Sequence, residues 1–334
     1  MQLSASIYSS KHRDIADLIS ELSLYSIDFC HIDSIENEAV FEDIKYIKSH
    51  TDVAIDLHII SKNPEKFYTQ IEQNKVDRVS IQIEAIVSDF HFPKFENTQV
   101  GLAIQIGNPQ IFEIIESYQD EIAHGLLMTT TPGISGGAFK HSDFDIIRKI
   151  VNAFPKISWQ VDGGVNNEVA YILRILGVES IVIGNYLMNH DSIGAAIMHL
   201  KSKNVASECL ISDFMIPVSE LPIVSIKDSF EEMLQKMEDY KLGTVFCVGQ
   251  NNHFEGIITN ADIRKCLLAK SFDYSMSLTT LINKNPKKIK ETFSIKNMLS
   301  FISQFSFPLL VLPVENESCE LVGAISFHKL IKGD

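Results

Sequence analysis

The sequence lacks the patterns that would carry it into a membrane, out of the cell or onto nucleic acid. No apolar run approaches the roughly 20 residues needed to cross a bilayer, and the polar segment beginning at Met1 has none of the charged-then-apolar order of a secretory signal. Cys30, Cys209, Cys247, Cys266 and Cys319 never fall into C-x-x-C spacing, which argues against a zinc finger or a disulfide frame and fits reduced, mostly buried thiols. Basic charge is scarce: 29 Lys and Arg against 43 Asp and Glu leave a formal charge of -14, and no run is dense enough in lysine and arginine to reverse it. A cytoplasmic protein with small-molecule partners, and with neither nucleic acid nor membrane among them, is the expectation.

What the 334 residues do contain is a rhythm. Short β-branched runs at 3–7, 29–33, 53–58, 78–83, 100–105, 125–129, 157–162 and 180–184 alternate with segments of helical period near 12–24, 39–49, 64–74, 109–118, 142–153, 167–176 and 190–202; the stretch after the fourth strand is irregular. This pattern predicts an α/β domain over 1–203, a parallel (β/α)₈ barrel. Past Lys203 strands come in close pairs. Segments at 223–226, 244–248 and 254–259, with a helix from Ser229, overlay segments at 287–290, 309–313 and 320–326, with a helix from Ser294. A smaller, internally duplicated α+β domain is therefore expected over 210–334, with repeats at about 211–270 and 278–332.

In a barrel of parallel strands the chemistry sits at the carboxyl ends. Strand two ends in His31-Ile32-Asp33, strand three repeats the design with Asp56-Leu57-His58, and strand seven ends in Asp162-Gly163-Gly164. Residues at i and i+2 of a strand share a face, so these ionisable groups point inward together. Charged groups there are costly unless paired, protonated or bound to metal, and histidines converging with carboxylates suit a divalent transition ion. An isolated D-G-G also fits a plain tight turn, and each histidine alone fits a hydrogen-bonded core residue; their convergence favours the site.

Ser4-Ala5-Ser6-Ile7, His31-Ile32-Asp33, Asp56-Leu57-His58 with Asn63-Pro64-Glu65, Leu127-Met128-Thr129 with Pro132-Gly133 and Gly136-Gly137, Val161-Asp162-Gly163-Gly164, and Gly184 together resemble ribulose-phosphate 3-epimerase, strand by strand over about residues 1–200. The resemblance implies a TIM barrel that inverts C3 of a ketose phosphate: ribulose 5-phosphate/xylulose 5-phosphate or a related pentulose, hexulose or heptulose phosphate. It implies His31, Asp33, His58 and Asp162 as ligands of one divalent ion (Zn, Fe, Co or Mn), with Asp33 and Asp162 also serving as acid and base through an enediolate. Ser6, Met128, Gly136, Gly137, Gly163, Gly164, Gly184 and Asn185 are the implied substrate contacts, the glycines letting backbone N–H groups approach a phosphate. Each is also consistent with an ordinary turn glycine.

Departures from the family pattern are equally specific. Ile35-Glu36-Asn37 stands where the family usually has Met-Asp-Gly, Ile60 replaces a methionine, Gln82 a histidine and Thr131 an asparagine, while Met128 and Glu84 are kept. An altered substrate wall around a complete tetrad suggests the same reaction type on a different ketose phosphate, or slower turnover of the usual one.

The C-terminal region resembles a tandem pair of CBS modules (a Bateman domain) over roughly 210–332. Asp213-Phe214-Met215 opens it, and Gly256-Ile257-Ile258-Thr259-Asn260-Ala261-Asp262 matches the signature in which Thr259 and Asp262 would bind an adenine or cytidine nucleotide; the second copy has Ser326 and, in place of the acid, Lys329. The likeness extends to CBS tails of arabinose-5-phosphate isomerases and of nucleotidyltransferases making surface-polysaccharide precursors, which suggests that biosynthetic setting. A homo-oligomer joined through the barrel, the CBS pair or both is expected. The competing reading is a non-catalytic sugar-phosphate or nucleotide sensor, or an assembly protein.

Overall fold

A computed structural model describes residues 1–328 apart from 11–12, 26, 88–89, 191, 203–206, 208, 250–252, 270–272, 274–275 and 308. It divides into two compact units, the first over about 1–205 and the second after it.

The first unit is a closed parallel barrel of eight strands in sequence order: β1 Gln2–Ser6, β2 Phe29–Ile35, β3 Ala54–Ile60, β4 Arg78–Gln82, β5 Gln99–Gln105, β6 His124–Met128, β7 Ser158–Asp162 and β8 Ser180–Ile183. Helices α1 Ile15–Ser23, α2 Val40–His50, α3 Tyr68–Gln73, α4 Ile111–Tyr118, α5 Asp143–Ala153 and α6 Asn167–Leu176 lie in crossovers between strands, and α7 Asn185–Met188 and α8 Ile193–Lys201 follow β8. As expected, no helix separates β4 from β5 among the described residues, where a 3-10 turn, Ile83–Ala85, follows β4.

Three helices differ from the periodicity. The first starts at Ile15 because the Asp14 carboxylate accepts Ala16 N–H and caps it there. The third opens as a 3-10 turn, Pro64–Phe67. The helix expected over 190–202 is α8, which starts at Ile193 because Ser192 accepts Ala195 N–H, and the short α7 precedes it.

Strand alternation sorts the barrel's side chains. Ile32, Leu57, Ile81 and Val161 point outward and are fully buried, as are Leu22, Ile44, Ile147 and Leu173 of the helices; this is the main apolar layer. The interior divides in two. Ala103, Leu126, Met128 and Val182 form an apolar cluster. The rest is polar: Ser4 of β1, Asp56 of β3 and Gln160 of β7, on strands that are not neighbours, meet by hydrogen bonds. Two glycines make room for bulk. A Cβ on Gly101 would lie 2.4 Å from the His124 ring, and one on Gly125 would lie 2.2 Å from Trp159.

The second unit contains two small sheets of matching topology. In one, β10 Ile223–Ser225 pairs parallel with β11 Thr244–Val248, which pairs antiparallel with β12 Phe254–Thr259. In the other, β13 Ile289–Lys290, β14 Val311–Glu315 and β15 Leu321–Ser326 repeat that order, and β9 Ile216–Pro217 adds to the edge of β15. Both middle strands shift register at the same place, Cys247/Val248 and Val314/Glu315. Helices α9 Phe230–Tyr240, α10 Asn260–Leu268 and α11 Ile295–Ile302 start at Ser229, Thr259 and Ser294, each of which accepts a hydrogen bond from the first turn. β13 and β14 lie about two residues later than their apolar runs suggested.

Candidate active site

The β2–β3 ladder pairs His31 with Asp56 and Asp33 with His58, so four inward ionisable residues alternate across two strands. His58 Nδ1 lies 2.9 Å and His31 Nε2 3.5 Å from the same Asp33 Oδ1. One ligand atom each from His31, Asp33 and His58 falls within 4.8 Å of the others. The structure thus brings together three of the four expected metal ligands. Asp162, at the end of β7, lies outside that tight group but lines the same cavity as Asp33.

Opposed environments act on the two aspartates. Burial would raise Asp33, but the adjoining His31 ring and the hydrogen bond from His58 carry it far below the usual carboxylate range. Burial pushes Asp162 up to about 6, with the His31 charge opposing and the Asp33 charge assisting.

The cavity, about 180 Å³, opens at the carboxyl ends of β1, β2, β6, β7 and β8. All eight expected substrate contacts, Ser6, Met128, Gly136, Gly137, Gly163, Gly164, Gly184 and Asn185, line it. The turn after Asp162 requires glycine: Gly163 and Gly164 have φ of +117° and +62°, and a Cβ on Gly164 would lie 2.2 Å from the Phe139 nitrogen. Thr129 Oγ1 braces this turn, 3.0 Å from Asp162 O and 2.7 Å from Gly163 O. Asn166 then caps α6 through Val169 N–H.

Several participants were not singled out from sequence. Ser9 lines the cavity with its hydroxyl 2.9 Å from that of Ser6, and Thr130 and Asn166 line it too. Asp56 lies beneath the site, fully buried, and Arg78 donates to it. The inward place of Asp56, two residues before His58, is legible in the sequence, though its contact with Arg78 is not; nothing local distinguishes Arg78, at a strand start, from a surface arginine. The altered wall is visible as well. Ile35 and Ile60 lie against Gly133, and Glu36, at φ +51°, accepts from Ser61 Oγ, Lys62 N and Lys66 Nζ, tying the β2 loop to the β3 loop.

The metal expectation can be tested against these donors. Two imidazoles and a carboxylate are a donor set that divalent transition ions accept. His31 Nε2 is buried, has no hydrogen-bond partner, and faces the Asp33 oxygen. The residues fit a cation.

The sequence model of the ribulose-phosphate 3 epimerase family matches residues 2–188, more than half of the chain. The chain belongs to the ribulose-phosphate 3-epimerase family. It is therefore an isomerase of the epimerase class, and the family's use of a divalent metal agrees with the donor set. A ribulose-phosphate 3-epimerase of Methanocaldococcus jannaschii is 24% identical over 226 residues, 64% of this chain and 95% of that protein. One of Bacillus subtilis is 22% identical over 215 residues, 60% of this chain and 98% of that protein. A CBS-domain model matches residues 211–269, and an arabinose 5-phosphate isomerase of Francisella tularensis is 26% identical over 122 residues, 36% of each protein.

In the CBS region, Thr259 and Asp262 form a capping box at the start of α10. Thr259 Oγ1 donates to Asp262 Oδ2 at 2.6 Å, Thr259 N donates to the same oxygen at 3.0 Å, and Asp262 N returns a bond to Thr259 Oγ1 at 3.3 Å. In the second copy Ser326 Oγ accepts from His328 N, and Lys329 lies outside the described residues. Among the described residues no helix is long and apolar enough to cross a membrane.

Proposed function

We propose that the barrel epimerises C3 of a ketose phosphate, with Asp33 and Asp162 as the paired acid and base. The observation that carries this reading is their placement: carboxylates from β2 and β7 line one cavity with the glycine-rich β6 and β7 loops. Inversion needs a proton taken from one face of the carbon and returned to the other, so two carboxylates suffice, one ionised and one protonated, exchanging roles with direction. The backbone around Gly136, Gly137, Gly163, Gly164 and Gly184, with Ser6 and Asn185, would hold the terminal phosphate, and Met128 would pack against the sugar. His31, Asp33 and His58, with Asp162 closing the set, would hold one divalent ion (Zn, Fe, Co or Mn), which when bound supplies positive charge for the developing enediolate oxygens. The domains act over 1–203 and 210–334 in a cytoplasmic homo-oligomer, and the CBS pair regulates the barrel by binding an adenine or cytidine nucleotide at Thr259 and Asp262. The CBS-domain match over 211–269 supports that last step.

The metal-supplemented protein is incubated with pentulose, hexulose and heptulose phosphates in deuterated water, and label at C3 is followed. Label is expected on at least one ketose phosphate, and Asp33→Asn or Asp162→Asn lowers its rate about 10²–10⁴-fold. If every substrate stays unlabelled with metal present, the reading fails.

A further inference from the structure

Each histidine of the candidate metal site has one ring nitrogen turned toward Asp33 and the other engaged by a second residue; that second residue decides where the proton sits. Beneath His31, Asp56 Oδ2 receives Ser4 Oγ at 2.6 Å, Arg78 Nη2 at 2.8 Å, Gln160 Nε2 at 2.8 Å and His31 Nδ1 at 2.9 Å. The Arg78 guanidinium supplies the countercharge and is itself held over the Phe29 ring at 3.7 Å. A carboxylate so surrounded by donors only accepts, so His31 Nδ1 carries a proton and Nε2 is left for the site.

The opposite holds at His58. Its Nε2 lies 2.8 Å from Gln82 Oε1, and Gln82 Nε2 donates to Glu84. Glu84 in turn is held by Gln105 N and Asn108 Nδ2, each at 3.0 Å. Flipping the Gln82 amide would set its carbonyl against that carboxylate, so Oε1 stays toward His58 and can only accept. His58 therefore carries a proton on Nε2, and Nδ1, which without a cation donates to Asp33 Oδ1 at 2.9 Å, is the nitrogen that a bound cation would take over.

We infer that Asp56 and Gln82 are positioning residues that set the two histidines in opposite tautomers, so that His31 Nε2 and His58 Nδ1 present converging lone pairs to one cation beside Asp33. The inference rests on the metal reading above. It also gives a role to Gln82, which stands where the family resemblance led to a histidine: an amide locked by Glu84 is an acceptor at every pH, whereas an imidazole can present a donor instead. Residues behind metal-bound histidines generally fix tautomer and ring orientation in this way, and removing one weakens metal binding about 10–100-fold.

The test uses full-length protein labelled with ¹⁵N-histidine, with the two rings assigned through His31→Ala and His58→Ala. Long-range nitrogen–proton spectra are recorded metal-free and with zinc, and zinc affinity is measured by chelator competition. Protons on His31 Nδ1 and His58 Nε2 are expected in both states, with the other nitrogen of each ring shifting when zinc binds. Gln82→Leu and Asp56→Asn each weaken zinc about 10–100-fold, whereas Gln82→Glu, which keeps an acceptor, stays within a few-fold of wild type. An unprotonated His31 Nδ1 or His58 Nε2 in the wild-type protein overturns the inference, even if Asp56→Asn fails to fold. So does a folded Gln82→Leu protein with unchanged zinc affinity. Absence of zinc binding by the wild type instead refutes the metal reading, and the metal-free spectrum still decides the tautomers.

Discussion

The barrel interior and the start of α10 use similar residues under different rules. Inside the barrel, Asp56 and Arg78 are buried, and their hydrogen bonds run to side chains of other strands. At α10, Asp262 bonds to its own helix start and sits 3.8 Å from an exposed Lys265. A polar residue inside a barrel is thus a commitment involving several strands at once. One at a helix cap already has a local structural task, and any ligand must share it.

The largest effect that would break this contrast is expected at Arg78. Arg78→Met leaves Asp56 buried without its countercharge and should lower the unfolding free energy by about 3–5 kcal/mol, whereas Lys265→Ala, removing an exposed partner of Asp262, should change it by less than about 1 kcal/mol. Urea denaturation of the two variants measures both. Equal losses would mean that the buried pair has no special weight.

An intermediate effect is expected from acid. Burial, with the Arg78 charge adding and the Asp56 charge opposing, pushes His124 down to about 4, and its Nε2 pairs with Ser80 Oγ at 2.9 Å. The unfolded chain binds this proton near pH 6.5 and the folded one does not, so its contribution is intact above pH 6.5 and is lost as pH falls toward 4. Between pH 6.5 and 5 wild type should lose about 2 kcal/mol more than His124→Gln, in paired urea titrations. Parallel pH profiles would show that His124 is not held neutral.

The smallest effect belongs to the cap. Asp262→Ala should cost about 1 kcal/mol of stability by opening the capping box. The same change should abolish nucleotide heat in calorimetric titrations with adenine, cytidine and guanine nucleotides. Binding by Asp262→Ala equal to that of wild type, or no heat with any nucleotide, would leave the residue as a cap alone.

Reading the sequence placed all eight barrel strands to within two residues or so, because each is a short run set apart from the helical period around it. His31, Asp33 and His58 were legible because a period of two puts the ionisable groups of each strand on one face, and Asp162 because its strand ends in a carboxylate before two glycines; the family resemblance joined the four into one ligand set. What could not be read was the support beneath them. Arg78 meets Asp56 from the next strand and Gln160 from four strands away, and such partners depend on barrel closure and stagger rather than on any local spacing. The capping box at Thr259 and Asp262 is visible as S/T-x-x-D/E spacing, and the same two residues carry the likeness to a nucleotide signature.

The close fit of Gly101 to His124 and of Gly125 to Trp159 bears on how this barrel can drift. Either glycine can gain a side chain only after its ring has shrunk, and either ring leaves a void if it shrinks first. The path from one tolerated pair to another therefore crosses a less stable intermediate, and positions 101 and 124, like 125 and 159, should change together or not at all.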